Sequence, residues 1–256
     1  MSALTVYVDD SGSGLDLPYF LLGGVAVNSI HDQSIERQAA TFDRKSKPWG
    51  RAEFLRCATF VSQPGFYPFS AYVRLDPEIV TRAKTRVREA KEHRRRHGMP
   101  LDRKHNLPAQ AQLYMSVAAT AFAACAIVPV FSNQVVTSIA VVADRFTMKE
   151  EYRGFLRASL RRETGAALAR TGRLGLSAAM CARWGEPTFD WRSGGPYLRL
   201  ADGYCFIVQQ ALAGNADARD GLAHIEQLFI AQGRSPAGLR IDDTERVRAQ
   251  MSRSFV

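Results

Sequence analysis

Apolar runs and amphipathic stretches alternate along the chain in a pattern that predicts a mixed α/β protein. Residues 4–8 are an uncharged, β-prone run. After a Ser/Gly turn and Pro18, residues 19–27 make a second such run, and the two read as a hairpin. Residues 29–44 and 51–62 have the spacing of amphipathic helices, and 66–75 that of a third strand. Asp76 then stands as an N-cap, Pro77 at the first helical position, Glu78 in the first turn and Gly98 at the end of the next helix. Residues 107–126 carry almost no charge and read as a deeply buried helix. A β-branched strand follows at 135–143, then a helix to about 170 that opens with a capping box, Thr147 and Glu150. Residues 173–180 read as a fifth strand and the Gly-, Pro- and Trp-rich stretch 181–195 as a loop. Pro196 opens a helix to about 214; a last helix covers about 218–232, and a polar tail closes the chain. No repeat or low-complexity linker divides this order. The expectation is one domain over 1–256: a mixed central sheet of about five strands flanked by helices, with helical insertions at about 29–62 and 76–98.

Charge adds a second layer. The net charge is +9. Residues 81–105 hold ten Lys or Arg against three acids, a net +7, so most of the excess sits in one window. In its helix Ile79, Val80, Ala83, Val87 and Ala90 form one narrow apolar stripe. Arg82, Lys84, Arg88, Lys91, Arg94, Arg95 and Arg96 occupy the rest of the circumference and suit a polyanion such as a nucleic-acid backbone. A solvated helix that serves solubility is the alternative. His93 and His97 have metal-ligand spacing, but three arginines lie between them and would repel a cation. The four cysteines form no CxxC and stand in apolar surroundings, as free thiols of a reducing cytosol do. No basic, apolar leader is visible, and the longest apolar stretch, 117–131, contains Pro129 and is shorter than the ~20 residues of a membrane span. The expected location is cytoplasmic, with no membrane partner.

Three acids sit where solubility does not explain them. Asp9 ends the first apolar run, Asp144 ends a nine-residue uncharged strand, and Asp202 lies in a helix with Leu198, Cys205 and Phe206 along its face. Asp and Gly are also ordinary turn residues, which is the simpler reading of Asp9 and Asp10 taken alone. Burying an ionised carboxylate is costly unless it is paired or binds a metal. If the strands ending at Asp9 and Asp144 are parallel neighbours, both acids emerge at the edge where open α/β sheets bind ligands. No histidine adjoins any of the three, and an oxygen-only cluster suits Mg²⁺ or Mn²⁺. Such ions activate water and stabilise the leaving oxygen in phosphodiester cleavage. No P-loop, GxSxG or GxGxxG competes with this reading. Trp184, Phe189, Trp191 and Tyr197 surround the Gly/Pro-rich loop, either as stacking surfaces for unpaired bases or as a hydrophobic latch.

YVDDSGSG with FLLGGVAV, then VVADRF, then YLRLADGYCFIVQQAL resemble the three motif blocks of the family catalogued as domain of unknown function 3800. That family starts with a strand ending Asp-Glu-Ser-Gly, has a mid-chain strand ending in Asp, and ends with a Leu-Gln-Leu-Ala-Asp-like helix. Asp9, Asp144 with Arg145, and Asp202 are the matching positions, and the resemblance spans about residues 4–213. It implies a ribonuclease H-like fold and a metal-dependent nuclease, with Asp9, Asp144 and Asp202 as metal ligands. Asp10 stands where the family has Glu. Glu53 matches the family's Glu-x-Lys only in its acid, and residues 107–126 contain no acid at all. A fourth carboxylate would therefore come from Asp10 or Glu53. Two functions follow: a divalent-metal-dependent nuclease acting on DNA or RNA, or a catalytically inactive nucleic-acid-binding module of the same fold.

Overall fold

The first apolar run forms β1 (Ser2–Ser11), with Leu4, Val6 and Val8 buried on one face and Thr5, Tyr7 and Asp9 on the other. The computed structural model of the chain describes residues 2–11, 18–28, 33–42, 48–98, 117, 136–144, 188–192 and 194–252. β2 (Tyr19–Asn28) returns antiparallel to β1, and β3 (Phe66–Arg74) antiparallel to β2. β4 (Val136–Asp144) pairs parallel on the other side of β1, and β5 (Thr188–Arg192) parallel to β4. A two-residue β6 (Ile241–Asp242) adds parallel to β3. The sheet order is β5-β4-β1-β2-β3-β6. Every strand except β2 therefore ends at the same edge. This mixed sheet of four long strands, a five-residue fifth and a two-residue sixth, flanked by helices, is the ribonuclease H-like fold class expected from the sequence.

Described helices are α1 (Gln33–Ala39), α2 (Arg51–Val61), α3 (Pro77–Arg96), α4 (Pro196–Leu212), α5 (Ala216–Ala231) and α6 (Thr244–Ser252). α1, α2, α4 and α5 build one core against the sheet face that carries Leu21, Val25, Phe66 and Tyr72. α4 lies in its centre, because Leu200, Tyr204, Ile207 and Val208 are all fully buried. Its Gly203 admits the Trp49 ring; a β-carbon there would come 2.8 Å from that ring. The opposite face of the same strands, with Leu4, Val8, Leu22 and Phe69, is also buried. β2 consequently reads as a continuous apolar run, as strands covered on both faces do. Tyr204 and Ser70 both donate hydroxyl hydrogen bonds to the Leu239 carbonyl, which ties α4, β3 and the turn before β6 together. Burial drives the Tyr204 phenol well above its usual pKa, so the hydroxyl stays a donor.

Three expectations need correction. The stretch 181–195 is not all loop: residues 188–192 form β5, because alternating Phe189 and Trp191 supply a strand pattern and β4 supplies the partner. The polar tail folds into β6 and α6, whose Val247 and Met251 are buried. The helix at 29–44 is described only over Gln33–Ala39 and ends in a turn at Ala40 and Thr41. The expected elements at 147–170 and 173–180 lie outside the described residues, as does 107–126 apart from Val117, which is helical and buried. Among the described residues no helix is long and apolar enough to cross a membrane.

Candidate functional site

Register brings the first two acids together. In the parallel ladder Val8 pairs with Ala143. Asp9 and Asp144 are the next residues along, neighbours at the carboxyl edge of β1 and β4. On its other side Asp9 pairs with Gly23, and Gly23 with Ser70. Asp144 pairs with Arg192 of β5. A transverse row thus runs Arg192, Asp144, Asp9, Gly23, Ser70 across the sheet.

The third acid arrives on α4. Tyr7 and Asp9 share one face of β1, and the Tyr7 ring packs on Tyr197 of α4 at 5.0 Å between centroids. Further along α4, the Cys205 thiol donates to the Asp9 backbone carbonyl at 3.7 Å. Gly23 permits that approach: a β-carbon on it would stand 3.1 Å from Cys205 Sγ and 2.7 Å from the Phe69 carbonyl. Asp202 lies three residues before Cys205, so the two are neighbours on one side of the helix, about 5–6 Å apart at Cβ. Asp9 is 7% exposed and Asp202 half-buried. The backbone therefore places Asp9 and Asp144 side by side at one edge, and puts Asp202 on the α4 turn next to the Cys205 contact, where its charge also acts on Cys57 of α2. The side chains of Asp10 and Asp144 lie outside the described residues. Among the described side chains no group of three or more His, Cys, Asp or Glu could hold an ion.

Other titratable groups nearby serve the fold. Burial pushes the Cys57 thiol far up; Arg56 opposes this and the Asp202 charge adds to it. Cys57 and Cys205 are both buried thiols outside any disulfide. The Glu53 carboxylate accepts from the Gly50 N–H at 3.2 Å and so caps the first turn of α2 from within the helix, Gly50 having no side chain to return the bond. Tyr197 is 4% exposed between Tyr7 and Phe66, a core ring rather than a free stacking platform. Asp10 is described only by its backbone pairing with Leu22.

The basic helix α3 is anchored at its start. Asp76 accepts from the Ile79 N–H at 2.7 Å and pairs with Arg248 of α6 at 2.6 Å. The Ile79 N–H holds the Asp76 carboxyl below its usual range, with Arg248 assisting against partial burial. Arg82 pairs with Glu78 at 2.7 Å and donates to Ser252 of α6, and Arg86 donates to the Gln250 carbonyl at 3.0 Å. Lys84, Arg88, Lys91, Arg95 and Arg96 are exposed, and Arg94 half-buried. Because β3 runs in the same direction as β1, α3 leaves the sheet at the edge where Asp9 and Asp144 lie. Two strand spacings, about 10 Å, separate β1 from β3.

Arg192 is the residue that sequence reasoning passed over. Its signal was the Phe189/Trp191 alternation just before it, which marks a strand inside a Gly/Pro-rich stretch. No family model matches the chain. No curated protein matches it either. Among solved structures the chain is similar to one described as the PCNA:RNase HII complex from Archaeoglobus fulgidus. That similarity covers 98% of this chain and 98% of the other, at 11% identity and a TM-score of 0.41. The fold assignment above rests on strand order and direction.

Proposed function

We propose that this protein is a divalent-metal-dependent phosphodiesterase that cleaves nucleic acid. The observation that carries the reading is the adjacency of Asp9 and Asp144 at one carboxyl edge, with Asp202 delivered above them by α4. Adjacent carboxylates repel. A divalent cation bound between Asp9 and a neighbouring acid would offset that repulsion. The donor set is oxygen alone, which fits Mg²⁺ or Mn²⁺ rather than zinc or copper. Asp9, Asp144 and Asp202 would hold the ion, with Asp10 or Glu53 the remaining acids in reach of the sequence pattern. Bound there, the metal supplies Lewis acidity that lowers the pKa of an attacking water and stabilises the leaving oxygen.

The protein's own residues do the positioning. The β1–β4 ladder sets the spacing of Asp9 and Asp144. The Cys205 contact with the Asp9 carbonyl sets the height of α4, and with it Asp202. Arg192 stands in backbone register beside Asp144 at the row's outer end. α3 supplies the cationic surface for the substrate backbone, starting from the same sheet edge.

The test is incubation of labelled single- and double-stranded DNA and RNA with Mg²⁺, Mn²⁺ or EDTA, for wild type and Asp144→Asn. Metal-dependent cleavage by wild type that the variant lacks is the expected result. Oligonucleotide binding without cleavage under every metal condition would instead assign an inactive binding module.

A further inference from the structure

We infer that four residues of α3, Lys84, Arg88, Lys91 and Arg95, form a single phosphodiester-binding rail along which one nucleic-acid strand runs. The inference rests on the proposed function for its substrate class, and its test runs without metal or turnover.

α3 carries two populations of basic residues. At about 100° per residue, Lys84, Arg88, Lys91 and Arg95 fall within a sector of about 60°. Their spacings of four, three and four place them one above another along the helix. Ile79 and Ala83, the buried residues of α3, lie about 130° round the helix from that sector. The acids Glu78, Glu89 and Glu92 lie outside the sector. Two of them are paired with the remaining arginines: Glu78 with Arg82 at 2.7 Å and Glu92 with Arg96 at 3.5 Å. Arg86 is turned to α6, where it reaches the Gln250 carbonyl. Among the described residues no ion pair reaches the four residues of the sector, and all four are exposed. Internal pairing thus removes the acids from one side and leaves the other uniformly positive.

Length and composition choose the partner. Eleven residues at 1.5 Å each make the rail about 16 Å long. That matches about five nucleotides of one strand, at 3.4 Å per charge. A membrane-surface helix would need a free apolar face beside the cations. The apolar face of α3 is already used: Ile79 and Ala83 are fully buried, and Ile230, on α5, is the exposed large hydrophobic among the described residues. The rail has charge without grease, which suits phosphates. α3 itself starts at the carboxyl edge of β3, the edge where Asp9 and Asp144 lie, and the rail begins seven residues further along the helix.

The experiment measures binding of fluorescent 20-nucleotide single-stranded and duplex oligonucleotides in EDTA, from 50 to 200 mM salt. It compares wild type, the quadruple variant Lys84→Ala/Arg88→Ala/Lys91→Ala/Arg95→Ala, and the control Arg82→Ala/Arg96→Ala. Alanine preserves the helix, and circular dichroism confirms it. Four lost phosphate contacts lower the slope of log affinity against log salt by about 2.8 for single strands. Wild type should therefore lose about fifty-fold more affinity than the quadruple variant across that salt range. The control should stay near wild type. Single strands and duplex should show the same ranking of variants, since phosphates carry no sequence or pairing information.

Equal slopes for wild type and the quadruple variant would overturn the rail. So would a larger loss in the control, binding of phosphatidylserine vesicles without oligonucleotide binding, or no oligonucleotide binding by wild type. A protein that binds through the rail yet never cleaves would sink the catalytic reading and leave the rail standing.

Discussion

The carboxyl edge of β1 and β4 and the surface of α3 both concentrate charge, but they do it in opposite settings. At the edge, acids sit in strands and a helix whose other residues are buried, with Asp9 itself 7% exposed. On α3, cations stand on a solvated helix whose inner contacts are few, and two of its three acids, Glu78 and Glu92, are already paired. Exposed charges cost little to keep, and single surface pairs contribute about 0–1 kcal/mol. Buried acids cost several kcal/mol without compensation. A buried charge at the edge must be compensated by hydrogen bonds, an opposite charge or a ligand, whereas a charge on α3 merely permits a partner. Three acids in largely buried elements therefore say more about function than eight bases on a solvated helix.

The largest expected effect tests the edge directly. Asp9→Asn or Asp202→Asn should lower cleavage by about a thousandfold or more, because groups that act as a unit fail together. Both variants should keep the secondary structure and the rail's salt-dependent binding. Retention of full cleavage by Asp202→Asn would remove α4 from the site.

Next comes the packing that sets the site's height. In Gly23→Ala the new methyl meets Cys205 and the Phe69 carbonyl, so α4 must lift or the strand must shift. Overpacking of this kind costs about 1–3 kcal/mol, a drop of about 3–10 °C in Tm for a chain of this length. Cleavage should fall by more than the stability loss accounts for, since Asp202 moves with the helix. A Gly23→Ala protein with wild-type Tm would show that α4 is not seated on this row.

Removal of one edge charge should act with the reverse sign. In EDTA, Asp144→Asn relieves repulsion against Asp9 and should melt about 2–4 °C above wild type, for about 1 kcal/mol. Mn²⁺ should then raise the Tm of wild type and leave the variant unmoved. A variant that melts lower in EDTA and responds equally to Mn²⁺ would make Asp144 a structural acid.

The smallest effect belongs to the α3 side. Asp76→Ala removes the N-cap and the Arg248 pair, and should cost about 1 kcal/mol, or about 2–4 °C. The Asp76 carboxyl is held low in the folded protein. The stability it contributes is complete above the unfolded pKa of about 3.9 and disappears as pH falls through the folded value. Thermal melts between pH 5 and 2 should narrow the gap between wild type and Asp76→Ala. A gap that stays constant would mean that the charge of Asp76 contributes nothing to folding.

Local pattern carried much of this molecule. The runs at 4–8 and 19–27 are β1 and β2 because continuous apolar, β-branched sequence suits only strands covered on both faces. α3 was legible from Asp76, Pro77 and Gly98, since caps act through their own backbone within one turn. The three acids were legible as misfits, because burial of charge is improbable wherever it falls. What pattern could not carry was pairing. β6 has two residues, too few for a period, and β5 offers only the single Phe189/Trp191 alternation, so each depends on a neighbouring strand to satisfy its backbone. The choice of Lys84, Arg88, Lys91 and Arg95 over Arg82 and Arg86 was settled by α6, a helix read from sequence as a polar tail. The adjacency of Asp9 and Asp144, 135 positions apart, came from the parallel ladder of β1 and β4. Hydrogen bonds between distant strands fix such a register, and backbone hydrogen bonds leave no trace in the identity of the residues that make them.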